Sequence, residues 1–258
     1  MAASFNRLLR EAVDHFSRFG FTSPADVNDW LVRLSAAAES SLDTAKAQRR
    51  IENALGGAFY RELGRGRLIT RKGRVSKLSI AQLEPKLRDE LERRMFAARE
   101  LLEGDKKLAL ERIHNRFLGL ATAGVQPKDV REGVKAISKA ERDAKAQARM
   151  TAIDQTGKLI RTMDEIVAVD AGSIGGFWDA TWEIERKHRI EHAIRHEQWY
   201  PRRGSWADQQ GFLKRALGYM DEHDMPGVKI NCRCEYRYVY DLEDVPPEFL
   251  TAKGRKAA

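Results

Sequence analysis

Apolar residues recur at helical spacing through the first two thirds of the chain and switch to strand-like alternation in the last third. Over residues 4–19, Phe5, Leu8, Leu9, Ala12, Val13, Phe16 and Phe19 fall on one stripe, as an amphipathic helix requires. Gly20 ends that stripe. Ser23-Pro24-Ala25-Asp26 then reads as a helix start, with Ser23 as cap and proline at the first helical position. The second helix carries Trp30, Leu31 and Leu34, and a third is expected from Ser41 to about Leu63. A fourth starts at Ser79 and places Leu83, Leu87, Leu91, Met95 and Ala98 on one face. A separate helix over about 106–123 carries Leu110, Ile113, Phe117 and Leu120, and Pro127 opens a long one reaching about Val169.

From Gly172 the texture changes. Ser173-Ile174-Gly175-Gly176 reads as a turn, and Phe177–Trp182 is rich in strand-favouring aromatics. A short helix is expected over Arg186–Arg195, a loop at Trp199–Gly204, and a helix from Ser205 to about His223. Strands are expected at Val228–Ile230 and Glu235–Tyr240. The fold class that follows is α+β, predominantly α-helical. A helical N-terminal region, 1–125, would precede a small α+β domain with a short antiparallel sheet, 126–250, and a disordered basic tail, 251–258.

Charge adds one feature. The 258 residues carry 46 Lys and Arg against 38 Asp and Glu, a formal net charge of +8, which suits contact with a polyanion. The excess is visible at residues 64–78, where Arg65, Arg67, Arg71, Lys72, Arg74 and Lys77 occur with no intervening acid. Such a run reads as a flexible basic loop that touches phosphates or an acidic protein surface, or as an ordinary solvated loop. It lacks interleaved aromatics, so base readout is not expected. No apolar run is long enough to span a bilayer, and Met1–Phe21 carries Glu11 and Asp14 without a continuous apolar core, so it does not read as a secretory signal. With only two cysteines, a reducing compartment is expected.

Both cysteines lie in Cys232-Arg233-Cys234, and three of the six histidines are His188, His192 and His196. Closely spaced thiols in a reducing compartment point to a metal or to redox chemistry. Residues four apart share a helix face, so His188 and His192 could join the two thiolates in a tetrahedral, structural Zn²⁺ site, and His196 is an alternative ligand. A second reading takes His188-x-x-Glu191-His192 as the H-x-x-E-H pattern of a metal-dependent hydrolase with Glu191 as general base. In a third, the cysteines are small buried hydrophobes.

Four pieces of this half occur in a recognisable order. They are Ala152-Ile153-Asp154-Gln155-Thr156-Gly157-Lys158-Leu159, then Gly172-Ser173-Ile174 to Trp182, then Glu185, Lys187, Arg189 and His192, and last Pro226-Gly227-Val228-Lys229-Ile230-Asn231-Cys232-Arg233-Cys234. Over roughly residues 148–240 the chain resembles the C-terminal domain of phage head morphogenesis proteins, the Mu F-like minor capsid family. It departs from that pattern in having Glu185 for aspartate, Lys187 for arginine, His188 for a small apolar residue, and no glycine soon after His192. The resemblance implies a non-enzymatic minor head protein of a tailed bacteriophage that acts in procapsid assembly at the portal. It also implies contact with the portal protein, with major capsid or scaffold protein and with double-stranded DNA, and several copies per particle. The protein would then lie in the virion head, and in the host cytoplasm during assembly. A DNA-binding module acting through residues 65–77 is the remaining alternative.

Overall fold

The computed structural model describes residues 5–65, 77–122, 127–180, 189–215 and 217–258. Five helices come first: α1 Phe5–Phe19, α2 Pro24–Ser41, α3 Thr44–Arg65, α4 Lys77–Thr122 and α5 Pro127–Asp170. Three short strands follow, β1 Gly175–Asp179, β2 Trp199–Pro201 and β3 Glu235–Val239, with short helices α6 Ile190–Ala193, α7 Trp206–Gln209 and α8 Ala252–Ala257. The predominantly helical α+β class expected from the sequence is the one observed.

The chain divides into two compact units that interleave along the sequence. One comprises Met1–Glu52 and Phe96–Ala152, the other Asn53–Met95 and Ile153–Ala258. The sequence reading instead cuts once, after residue 125. The division differs because α3, α4 and α5 each supply residues to both units.

In the first unit the α1 stripe is buried as far as Phe16 and packs with Trp30, Leu31 and Leu34 of α2, Ile113 and Phe117 of α4, and Ile137 of α5. Phe16 meets Phe117 edge to face at 5.7 Å. Phe19, the last member of the stripe, is 66% exposed. The Ser23 hydroxyl accepts from the Asp26 N–H at 3.2 Å, the cap expected from the sequence. The fourth and fifth expected helices are one continuous 46-residue helix. Gly104 costs that helix about 1 kcal/mol relative to alanine, and the burial of Leu102 and Ala109 on either side outweighs it.

In the second unit the sheet has the order β2-β1-β3, antiparallel throughout. Phe177 lies opposite Trp199 and Arg237, and Trp178 lies opposite Tyr236. Because side chains alternate along a strand, the sheet separates two cores. Phe177, Trp199 and Val239 pack with Phe212, Leu213 and Leu250. Trp178, Tyr200 and Tyr236 pack with Met220 and both cysteines.

Several local expectations are corrected. Gly175-Gly176 opens β1 instead of forming a turn. A Cβ on Gly175 would stand 2.6 Å from the Trp199 ring and 2.6 Å from the Tyr200 carbonyl, so glycine is what lets β2 approach. Trp199–Pro201 is a strand, not a loop, and Pro201 is tolerated because β2 is an edge. The helix expected from Ser205 to His223 stops at Gln209. Gly211 and Gly218 adopt positive φ beyond it, and among the described residues of that stretch only Met220–Glu222 forms a further helical turn. Val228–Ile230 is a turn, and α8 occupies the tail expected to be disordered. Thr251 caps α8 by accepting from the Gly254 N–H at 3.0 Å, and its own N–H donates to the Phe212 carbonyl at 2.9 Å.

Candidate metal centre

The cysteine loop is built from two residues with positive φ, Gly227 (φ 85°) and Asn231 (φ 57°). Asparagine is among the few residues with a side chain that tolerate this conformation. The Asn231 N–H donates to Asp154 Oδ1 on α5 at 2.7 Å. Asp154 is in turn paired with Lys158 at 2.8 Å. One helical turn on, Arg161 Nε donates to the Cys234 carbonyl at 2.9 Å and its Nη2 to the Arg233 carbonyl at 3.2 Å. From the opposite side, Arg189 Nη2 donates to the Ile230 carbonyl at 2.6 Å. The loop is thus clamped by side chains from α5 and from the entrance to α6.

Farther along α5, Glu165 takes both Arg202 Nη1 (2.6 Å) and Nη2 (3.1 Å), and accepts from Tyr238 Oη at 2.7 Å. Positions 154, 158, 161 and 165 therefore form a polar stripe at helical spacing that fixes α5 to the loop and the sheet. That stripe was present in the sequence, but its partners were not recognised there. A run of charged residues reads as solvated until its opposite numbers are known.

Inside the clamp, His192 (0% exposed), Cys232 (7%) and Cys234 (0%) converge. Their ligand atoms all lie within 4.8 Å of one another. His192 Nδ1 is 3.5 Å from Cys232 Sγ and 3.4 Å from Cys234 Sγ. A single ring nitrogen has one proton or one lone pair, so it cannot satisfy two thiols by hydrogen bonding. A cation between them can. Sulfur at about 2.3 Å and nitrogen at about 2.0 Å from one tetrahedral ion stand about 3.5 Å apart, the separation found here. The donor set fits a metal ion.

The electrostatics run the same way. The Cys232 thiol is lowered to about 5, first by its hydrogen bond with Cys234 and, against the opposing effect of burial, by the backbone N–H groups of Gly227 and Cys234 and the charge of His192. A thiolate, the ligating form, is therefore favoured at neutral pH. Trp178 packs edge to face on His192 at 5.4 Å and on Tyr236 at 5.3 Å, which fixes the imidazole plane. His192 Nε2 is buried without a hydrogen-bond partner among the described residues. The cysteines form no disulfide.

No family model, curated protein or solved structure matches this chain. The assignment of the site therefore rests on its geometry.

Of the residues singled out in the sequence, His192, Cys232 and Cys234 come together. His188 lies outside the described residues. His196 is used elsewhere: its Nδ1 accepts from the Ala180 N–H at 3.1 Å. Arg189 is extended (φ −140°, ψ 103°) and α6 begins only at Ile190, so 188–192 is not the continuous helix that H-x-x-E-H geometry calls for. Glu191 is exposed. Of the basic segment, Arg65 ends α3 and Lys77 begins α4, while Arg67, Arg71, Lys72 and Arg74 lie outside the described residues. No helix among the described residues is long and apolar enough to cross a membrane.

Proposed function

We propose that the chain is a minor head protein of a tailed bacteriophage, structural rather than catalytic, in which a Zn²⁺ ion on His192, Cys232 and Cys234 pins the cysteine loop. One observation carries this reading. The four sequence pieces that resemble the head-morphogenesis pattern, spread over more than seventy residues, meet at a single loop. Asp154 of the first piece holds Asn231 of the last. Trp178 of the second packs on His192 of the third. Arg189 of the third holds Ile230 of the last. A pattern that arose by chance would not be expected to make such mutual contacts.

Zinc is preferred over other metals because thiolate and imidazole are its usual structural ligands; His192, Cys232 and Cys234 supply three of the four that a closed site requires. In this role the ion replaces core area that a three-stranded sheet cannot supply. The partners are the portal protein and capsid or scaffold protein, and residues 65–77 supply contact with packaged double-stranded DNA. Mass spectrometry of density-purified procapsids and virions from the encoding phage tests the assignment. Presence at a fixed ratio to the portal is expected, and absence from both particles would overturn it.

A further inference from the structure

The first unit contains a cavity of about 620 Å³ where the end of α2, the start of α3, α4 and α5 meet. Its origin is compositional. Ala144, Ala148 and Ala152 recur every four residues on α5 and face the cavity, as does Ala47 of α3. A leucine at any of these positions would fill the space that methyl groups leave open. Ile51 and Leu102 complete an aliphatic floor.

The mouth is cationic. Lys46 and Arg50 stand four residues apart on α3, and Lys145 and Arg149 four apart on α5. Like charges at that spacing repel and weaken a helix. Elsewhere in this unit the spacing is used for attraction, as in Arg7–Glu11 and Arg18–Asp14. Lys145 is compensated by Glu141 at 2.8 Å, but Lys46, Arg50 and Arg149 make no ion pair among the described residues. Two carboxyls line the cavity: Asp43, exposed, whose Oδ1 accepts from the Lys46 N–H at 3.1 Å, and Asp105, which has one oxygen buried without a hydrogen-bond partner among the described residues and whose pKa is pushed up by burial. A further anion is therefore disfavoured beside Asp105, while at the mouth Lys46, Arg50, Lys145 and Arg149 outnumber Asp43.

We infer that this cavity binds a single-chain anionic amphiphile, an aliphatic tail lying along the alanine face with its carboxylate or phosphate head between Lys46, Arg50 and Arg149. The volume lies within the range usual for small-molecule sites. No aromatic side chain lines it, so a stacked nucleobase is not the occupant.

Isothermal titration of the full chain with sodium dodecanoate, kept below its micelle concentration, tests the inference. Saturable one-to-one binding is expected, with no binding of acetate, which lacks the tail, or of dodecyltrimethylammonium, which reverses the head charge. Ala148→Phe, which fills the cavity, and the surface double variant Arg50→Glu/Arg149→Glu should each weaken dodecanoate by about tenfold or more. Thermal melts would confirm that both variants are folded, and the double variant changes no buried residue. The inference is overturned by an absence of saturable binding, by equal binding of the cationic surfactant, or by unchanged affinity in the two variants. Binding only to phosphatidylglycerol vesicles, without free dodecanoate, would also overturn it.

Discussion

At Cys232 and Cys234 the chemistry of the protein is decided by neighbours that contribute no ligand atom. The N–H groups of Gly227 and Cys234 favour the Cys232 thiolate, and Trp178 fixes the ring that faces it. Replacing Cys232 or Cys234 with serine should therefore remove metal binding and lower the melting temperature by roughly 10 °C. A chelator should lower the wild-type melting point by the same amount and leave the serine variants unmoved, as differential scanning fluorimetry would show. A second residue-scale prediction concerns Glu141. Burial raises its pKa, but hydrogen bonds from Lys145 and Ser41 outweigh that and leave it below the ordinary 4.5. A depressed carboxylate stabilises the fold above its ordinary pKa, and the contribution is lost as pH falls through the folded value. Glu141→Gln should thus melt earlier than wild type at pH 7, and the difference should shrink as the pH is taken below 4.5. A difference that stays constant with pH would mean that the carboxylate charge is irrelevant.

At the scale of elements, α5 positions the cysteine loop. Asp154→Ala would free both the Asn231 N–H and Lys158, and metal affinity measured by competition with a chromophoric chelator should drop about tenfold or more. Affinity equal to wild type would show that the loop holds its shape unaided. Gly175→Val would force β1 and β2 apart at the Trp199 ring, with a cost of about 1–3 kcal/mol readable by urea denaturation. This scale also shows what the sequence made legible. The long helices and the aromatic strands follow from local periodicity, so α1, α2, α5 and β3 were expected nearly as they stand. Elements set by distant partners were not. Trp199–Pro201 becomes a strand because Gly175 lets β1 pair closely with it, and α4 stays whole through Gly104 because its flanks are buried. At the site, the Cys232-x-Cys234 spacing and the His188/His192 spacing pointed to a ligand set that includes His192, Cys232 and Cys234. The clamp by Asp154, Arg161 and Arg189 was hidden because it links residues separated by 77, 73 and 41 positions.

For the whole molecule, the chain divides into two units that interleave along the sequence, and the candidate metal centre lies in the second. On the proposed reading a metal crosslink would stabilise the second unit, whose sheet has only three short strands among the described residues. Chelation should accordingly unfold the second unit selectively. Tryptophan fluorescence, dominated by Trp178, Trp182, Trp199 and Trp206, the four of five tryptophans that belong to that unit, should shift while much of the far-ultraviolet helical signal remains. Simultaneous loss of both signals would indicate one cooperative unit instead. The metal content of the purified chain tests the account most directly. Elemental analysis by inductively coupled plasma mass spectrometry should find one zinc per chain in the wild type and none in Cys232→Ser. A wild-type protein that is fully folded, metal-free and indifferent to added zinc would contradict it.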